Sequence, residues 1–256
     1  MIKCRNKEVR ESSMTAREAA REEWKKLKHK PLKDKLVHIG TYYWPHILVG
    51  GFLLILAVST IVTITTAKEP ALQVYLVSTV RNDTLAEDPA LDFARFAGLD
   101  PEEYEISLTC SSFGASGSAD LTLADSQIVG SQTAAEALDV LCGDVTALLD
   151  YAYGDYFYDL RQLLTEAQLE SWEAYLLYID RVVYDRISLG TETEYVLPDP
   201  TRPEDMEEPI PVALTIPDSS VLWDSHTFMA ETPAAGIVIN TQRPENARRF
   251  LEFIMQ

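Results

Sequence analysis

The sequence predicts an α/β protein in which one N-terminal transmembrane helix precedes a single extracytoplasmic domain with a mixed, mostly parallel sheet flanked by helices. Three observations carry this prediction. An uncharged apolar run extends from Ile47 to Ala67, strand-like and helix-like segments alternate after it, and the net charge reverses across it. Alternation of strands with helices is typical of sheets that helices cover on their faces.

The apolar run, residues 47–67, contains no charged side chain. At about 1.5 Å per helical residue its length matches the roughly 30 Å hydrocarbon core of a bilayer. We therefore expect a single-pass protein of the cell (plasma) membrane, with the lipid bilayer as one partner. A cleaved signal peptide is the alternative, because Thr65 and Ala67 are small residues, but the apolar segment of a signal peptide is usually about 7 to 15 residues long.

Charge differs between the two sides of this run. Residues 1–46 contain 12 Lys and Arg against 6 Asp and Glu, a net charge of +6, whereas residues 68–256 contain 10 against 34, a net charge of −24. Because Lys and Arg near a membrane helix stay in the cytoplasm, we expect the N-terminus inside and the acidic domain outside. Such acidity excludes nucleic acid as a partner of the domain. It provides solubility, or a docking surface for cations or a basic protein.

The basic arm, residues 1–46, is predicted to be cytoplasmic and to contain amphipathic and juxtamembrane helices. Thr15 and Glu18 have the spacing of a capping box, and the aromatic residues 42–44 suit the headgroup level of a membrane. The first 13 residues lack periodicity, so we expect them to be disordered or to precede the true start of the protein.

The domain, residues 68–256, opens with strand and helix signals in alternation. Segment 72–80 is rich in β-branched and apolar residues, which predicts a buried strand. Asp88 and Gly98 are placed to begin and end a short helix. Residues 104–110 alternate between apolar and polar, the period of a half-buried strand.

The middle of the domain is predicted to continue this alternation. The Ser- and Gly-rich segment 111–131 is expected to be a loop that enters a helix ending near Leu141, and the apolar run 145–149 is expected to be a buried strand. Thr165 and Gln168 have the spacing of a capping box for a further helix.

The last third of the domain predicts three more strands and a closing helix. Strands are expected at 178–184, 212–216 and 235–240, and the proline-rich, acidic stretch 198–211 is expected to be an exposed connector. Pro244 begins a helix whose apolar residues share one face.

One stretch resembles extracellular solute-binding proteins. Gly143-Asp144-Val145, followed by Asp159-Leu160, is similar to the segment in which that family ends a helix, opens a short strand and begins the next helix. The resemblance covers residues 71–254 and implies a reduced, periplasmic-binding-protein-like fold of about one α/β lobe, in a protein of a Gram-positive bacterium. The family has two lobes and a lipobox cysteine, both of which this sequence lacks, so the family's ligand residues do not transfer.

The resemblance implies a membrane-tethered binding or sensing module that is not an enzyme. Its partner would be a small solute or another envelope protein. The alternative is a structural or assembly subunit that docks on another cell-envelope protein.

Residues with catalytic or metal-binding chemistry are scarce in the domain. No lysine follows Lys68, and His226 is the one histidine after the apolar run. These facts exclude a P-loop lysine and a Schiff-base lysine, and a Ser-His-Asp site would have to use His226 with its neighbours Asp224 and Ser225. We predict no catalytic residue, no metal site and no cofactor.

Aromatic residues provide the candidate ligand or partner surface, which consists of Tyr151, Tyr153, Tyr156 and Tyr158. Such rings stack on a sugar or a peptide while their hydroxyl groups bind its polar edge. The alternative is that these tyrosines pack the sheet against its helices.

Two cysteines, Cys110 and Cys142, lie in the domain. An oxidising compartment would permit a disulfide between them. Each position also suits a small buried apolar residue, so the sequence leaves both interpretations open.

Overall fold

The computed structural model describes residues 44–82, 88–111, 123–190 and 196–256. The chain divides into two compact units, Met1–Ala67 and Lys68–Gln256. The basic arm up to residue 43, with its predicted capping box, lies outside the described residues.

The described part of the first unit is one helix, α1 (Trp44–Thr66), of 23 residues. A helix in the apolar run is thereby confirmed. Three of its threonines bond back to the helix: Thr60 donates to the carbonyl of Leu56 at 2.8 Å, Thr63 to that of Ser59 at 2.9 Å, and Thr66 to that of Val62 at 2.7 Å. Among the described residues, no helix is both long enough and apolar enough to cross a membrane.

The second unit contains a six-stranded sheet and a two-stranded ribbon. Its strands are β1 (Glu69–Leu76), β2 (Thr79–Arg81), β3 (Tyr104–Cys110), β4 (Val140–Asp144), β5 (Leu176–Asp180), β6 (Pro209–Thr215), β7 (His226–Phe228) and β8 (Pro233–Ile237). Its helices are α2 (Pro89–Ala97), α3 (Leu123–Ala134), α4 (Val145–Ala152), α5 (Glu166–Ser171), α6 (Arg181–Ser188), α7 (Val221–Ser225) and α8 (Pro244–Ile254). The strand order in the sheet is β3-β1-β4-β8-β6-β5, and β2 pairs with β7 in the ribbon.

The sheet is parallel in one half and antiparallel in the other. β1 pairs in parallel with β3 and β4, whereas β4 with β8, β8 with β6 and β6 with β5 are antiparallel. Four of the six strands, β3, β1, β4 and β6, therefore point in one direction. The prediction of an α/β domain with a mixed sheet flanked by helices is confirmed.

Helices cover both faces of the sheet, which gives two separate apolar clusters. The first cluster contains Leu72 and Leu76 of β1, with Phe93 of α2 and Phe250 of α8. The second contains side chains from the other face of β1, with Val129 of α3 and Leu148 of α4 packed on them. Successive side chains of a strand point to opposite faces, so β1 contributes to both clusters.

Local capping signals fixed two of the helices as predicted. The carboxylate of Asp88 accepts a hydrogen bond from the Ala90 amide at 3.2 Å, and Gly98 ends α2 in the left-handed conformation with φ 67°. Thr165 and Gln168 form the predicted capping box at the start of α5.

Three predicted segments are wrong. Residues 145–149, predicted as a strand, form α4, and the preceding residues, predicted as a helix, form β4. A short apolar run has no periodicity that separates strand from helix. The decisive contact is the cap, because the Asp144 carboxylate accepts a hydrogen bond from the Thr146 amide at 3.1 Å. In the same way Asp180 ends β5 and caps α6, which replaces the second half of the strand predicted at 178–184.

Candidate binding site

The carboxyl ends of the parallel strands lie at one edge of the sheet, where β1 ends at Leu76 and β3 at Cys110. The helices that follow these two strands pack on opposite faces, α2 on the first cluster through Phe93 and α3 on the second through Val129. In open α/β sheets a division of this kind leaves a crevice outside the strand ends, where ligands usually bind.

A buried carboxylate, that of Asp125 in the first turn of α3, lies behind these strand ends and is 1% exposed. It accepts a hydrogen bond from the Tyr75 hydroxyl at 3.0 Å and another from the hydroxyl of Ser111, the residue after β3. Burial, followed by the bond to Asp125, raises the pKa of Tyr75 to about 12. At neutral pH the phenol is therefore a hydrogen-bond donor to the carboxylate.

Tyr151 of α4 extends this group toward the surface. Its hydroxyl group hydrogen-bonds to Ser126, an exposed residue next to Asp125. Its ring meets that of Tyr156 edge to face, with centroids 4.9 Å apart and an interplanar angle of 78°. Burial raises the pKa of Tyr151, so this hydroxyl is also protonated at neutral pH. These residues lie near the topological switch point, where the helices after neighbouring strands go to opposite faces of the sheet. We therefore call the following set the switch site: Tyr75, Ser111, Asp125, Ser126 and Tyr151.

The remaining predicted tyrosines do not join this group. Tyr153 is buried, and its hydroxyl oxygen accepts a hydrogen bond from the Asp180 amide at 3.2 Å. Tyr158 packs against the first cluster, on the other face of the sheet. The structure thus brings Tyr151 and Tyr156 together, gives Tyr153 a contact within the core, and separates Tyr158 from the other three.

Ser78 joins β1 to β2 with φ 50°, a backbone conformation that residues other than glycine seldom adopt. Its side chain is 1% exposed, and its Oγ has no hydrogen-bond partner among the described residues. Its carbonyl oxygen accepts a hydrogen bond from the Met229 amide at 2.9 Å, which holds the ribbon at the end of β1. Strained residues and unsatisfied buried hydroxyl groups are concentrated at functional sites.

Ser225 and His226 form a local pair without the geometry of a catalytic triad. Ser225 Oγ lies 2.8 Å from His226 Nδ1, and both side chains are buried, whereas Asp224 is exposed. Burial lowers the pKa of His226, and its Nε2 has no hydrogen-bond partner in the described part of the chain. This pair therefore presents no accessible nucleophile. Nor do the described residues include three or more His, Cys, Asp or Glu grouped so as to hold a metal ion.

Cys110 and Cys142 are held apart by the sheet. Leu76 of β1 pairs with Cys110 on one side and with Cys142 on the other. Two strand spacings of about 4.8 Å separate their Cα atoms by roughly 9 to 10 Å, beyond the roughly 7 Å limit for a disulfide. No disulfide joins them.

Sequence patterns predicted only Tyr151 among the residues of the switch site. The position of Ser111 directly after an alternating strand was the one available signal, because side chains at that place adjoin the carboxyl edge of the sheet. Asp125 lies in a segment predicted as a loop, and its contact with Tyr75 joins residues that are 50 positions apart.

No protein-family model, curated protein or solved structure matches this chain.

Proposed function

We propose that the unit Lys68–Gln256 is a non-catalytic binding or sensing module, comparable to one lobe of an extracellular solute-binding protein. Its ligand binds at the switch site. The observation that carries this proposal is the hydrogen-bonded group of Tyr75, Ser111 and Asp125 at the point where the connections from β1 and β3 diverge.

The chemistry of the switch site suits a polar, uncharged ligand such as a sugar or a peptide. The negative charge of Asp125 is already engaged by two hydroxyl donors, so the site does not require a cationic ligand. The hydroxyl groups of Ser126 and Tyr151 accept as well as donate hydrogen bonds, and the ring of Tyr151 offers an apolar face. This combination matches the mixed polar and apolar surface of a sugar ring or a peptide backbone.

Thermal unfolding of the unit 68–256 tests the small-ligand proposal, because both apolar clusters lie within that unit. Sugars, short peptides and amino acids are added separately at high concentration. A ligand at 100 times its Kd should stabilise the folded unit by about 2.7 kcal/mol and raise the melting temperature. If every compound leaves the melting temperature unchanged, the switch site does not bind a small solute of these classes.

Two matched tyrosine variants locate the bound ligand. Tyr151→Phe removes a hydroxyl group from the switch site, whereas Tyr158→Phe removes one on the opposite face. We expect the first variant to weaken binding about fivefold to tenfold, since it deletes one hydrogen bond, and the second to leave binding unchanged. Equal losses would place the ligand elsewhere.

The proposal includes a membrane tether, whose basis is the sequence alone. The uncharged run 47–67 would anchor the chain in the plasma membrane, and the charges of +6 and −24 on its two sides would hold the N-terminus in the cytoplasm and the domain outside the cell. Protease added to intact cells should then digest the domain and spare the arm. The reverse pattern would overturn the orientation, and full release of the chain by carbonate washing would overturn the tether.

The alternative function, an assembly subunit that docks on another envelope protein, is favoured by the edge of the sheet at β3. Among the described strands β3 pairs only with β1, and Glu105 and Thr109 on it are exposed. An edge strand without a second neighbour is a common place for an added strand from another protein. Crosslinking in intact membranes should then yield a defined complex, and recovery of the monomer alone would count against assembly.

A further inference from the structure

A groove of about 290 Å³ lies beside the edge strand β5, at the opposite end of the strand order from β3. The strands β5 and β6 form its floor, and residues before them form its rim. We call it the β5 groove; the residues that matter here are Arg161, Glu170, Glu173, Tyr178, Pro209 and Pro211.

Tyr178 and two prolines make the floor of the β5 groove largely apolar, and its backbone is held in place. Tyr178 pairs with Pro211 in the sheet, and Pro209 lies two residues earlier on β6. Proline fixes its own backbone angle, and the Tyr178 amide donates to the carbonyl of Pro200 at 2.8 Å, so the backbone on both sides is held in place. A ligand that binds here would order little of the protein, which favours binding.

The charges at the rim leave an excess of negative charge. The guanidinium group of Arg161 is engaged by Asp159, with Nη2 2.7 Å from Oδ2. Glu170 and Glu173 are exposed, and neither carboxylate forms an ion pair or a side-chain hydrogen bond with another residue that the structure describes. Glu173 and Tyr178 line the same groove, and burial, followed by the charge of Glu173, raises the pKa of Tyr178 while the charge of Arg161 lowers it.

We propose that the β5 groove docks an extended segment of a partner protein that carries lysine or arginine side chains. The apolar stem of such a side chain packs on the prolines and the ring of Tyr178, while its cationic head meets Glu170 and Glu173. Charge complementarity supports a basic partner, because the rim carries two carboxylates without cations and residues 68–256 have a net charge of −24. The proposal is independent of ligand binding at the switch site.

Peptide binding to the full chain in detergent tests this docking site. The probe is a capped, fluorescent pentapeptide of alternating alanine and lysine, and the comparison peptide has glutamine in place of lysine. Fluorescence anisotropy at low salt should show that the lysine peptide binds and that the glutamine peptide binds at least tenfold more weakly. Equal affinities of the two peptides would overturn the proposal.

Charge-matched variants separate docking in the groove from general attraction to an acidic surface. Glu170→Gln with Glu173→Gln should weaken the lysine peptide about tenfold, since two partly exposed ion pairs are lost. Glu102→Gln with Glu231→Gln removes the same charge at two other exposed positions and should change the affinity less than twofold. Equal losses in the two double variants would mean non-specific attraction and would overturn the proposal.

Two further measurements exclude other occupants. Butylamine carries the same chemistry as a lysine side chain, so competition as strong as that of the peptide would mean a site for a small amine and not for a protein segment. Sedimentation of the full chain should show no self-association that depends on Glu170 and Glu173, because such dependence would make a second copy the occupant.

Tyr151→Phe, which alters the switch site, should leave binding of the lysine peptide unchanged. The docking proposal and the proposal of a ligand at the switch site can therefore fail independently of each other.

Discussion

Arg243 forms an ion pair with the fully buried carboxylate of Asp139, with Nε 2.9 Å from Oδ2. Asp139 immediately precedes β4, and Arg243 immediately precedes α8. The same carboxylate accepts a hydrogen bond from the Gln73 amide of β1 at 2.7 Å and another from the hydroxyl of Thr241. A single buried charge thus ties two neighbouring strands to the last helix.

Arg243→Met should destabilise the unit 68–256 by about 3 to 5 kcal/mol. The substitution keeps an apolar stem of similar length but leaves the carboxylate of Asp139 buried without a cation, which is the costly outcome for a buried pair. Urea unfolding of the variant and the unchanged unit measures the difference in the free energy of unfolding.

An exposed arginine provides the control for this prediction. Arg95 lies 3.1 Å from Asp92 on the surface of α2, with 65% of its side chain exposed. Arg95→Met should cost less than about 1 kcal/mol because water screens that pair. If the two substitutions cost the same, the burial of Asp139 does not govern the strength of the first pair.

Local sequence signals predicted the helices that carry their own caps. Asp88 and Gly98 bound α2, and Thr165 begins α5, because a cap is made by residues within a few positions of the helix end. The ion pair between Asp139 and Arg243 joins residues 104 positions apart, so no local signal could reveal it.

The candidate site was less predictable than the fold for the same reason. The tyrosines near residue 151 are clustered in the sequence, yet Tyr151 and Tyr158 pack on opposite faces of the sheet. Tyr151 reaches Ser126, the neighbour of Asp125, only because α3 and α4 contribute to the same apolar cluster on one face of the sheet. The short run 145–149 is a helix despite its strand-like sequence, because an apolar run of five residues has no periodicity that separates a strand from a helix.

Gly236→Ala should destabilise the unit by about 1 to 3 kcal/mol. A Cβ atom at Gly236 would lie only 2.8 Å from Cδ1 of Phe157, whose ring is buried against β8. The added methyl group would force the Phe157 ring out of its preferred position in a closely packed core, which lowers the free energy of unfolding. Thermal or urea unfolding of the variant gives the loss directly.

A second substitution shows whether the ring causes that loss. Phe157→Leu makes room beside position 236 and has a cost of its own. The loss of stability measured for the double variant should be smaller than the sum of the losses measured for the two single variants, by at least about 0.5 kcal/mol. Strict additivity would mean that the added methyl group is accommodated without contact with the ring.

Cys110 and Cys142 should both remain as thiols in the unit 68–256, even after export to an oxidising compartment. The strand between them keeps their Cα atoms too far apart for a disulfide. Alkylation of the denatured, unreduced unit followed by mass spectrometry should show two modified cysteines. A mass that reveals no modification would require a different pairing of the strands.

The native unit should also protect Cys142 from alkylation. Its side chain is fully buried, so the alkylating reagent cannot reach it. Burial also raises the pKa of the thiol, so the reactive thiolate is scarce near neutral pH. Peptide mapping after brief treatment with iodoacetamide measures the modified fraction. Rapid modification of Cys142 in the native unit would contradict the burial of β4.

His226 should make the unit less stable as the pH falls below about 6.5. Burial lowers the pKa of the folded imidazole from its ordinary value of 6.5, so between these two pKa values the unfolded chain binds more protons than the folded one. The free energy of unfolding therefore decreases with falling pH, by up to about 1.4 kcal/mol for each pH unit in this window. The charge of Arg81 also lowers the pKa of His226, and the charge of Asp88 raises it.

Comparison with His226→Gln isolates this contribution. Urea unfolding at about pH 7.5 and at about pH 5.5 gives, for each protein, the change in the free energy of unfolding between these pH values. This change in the unchanged unit is then compared with the change in the variant. The unchanged unit should lose more stability than the variant between these pH values, because glutamine does not titrate and the other groups are the same in both proteins. Identical losses would mean that the pKa of the imidazole is the same in the folded and the unfolded unit.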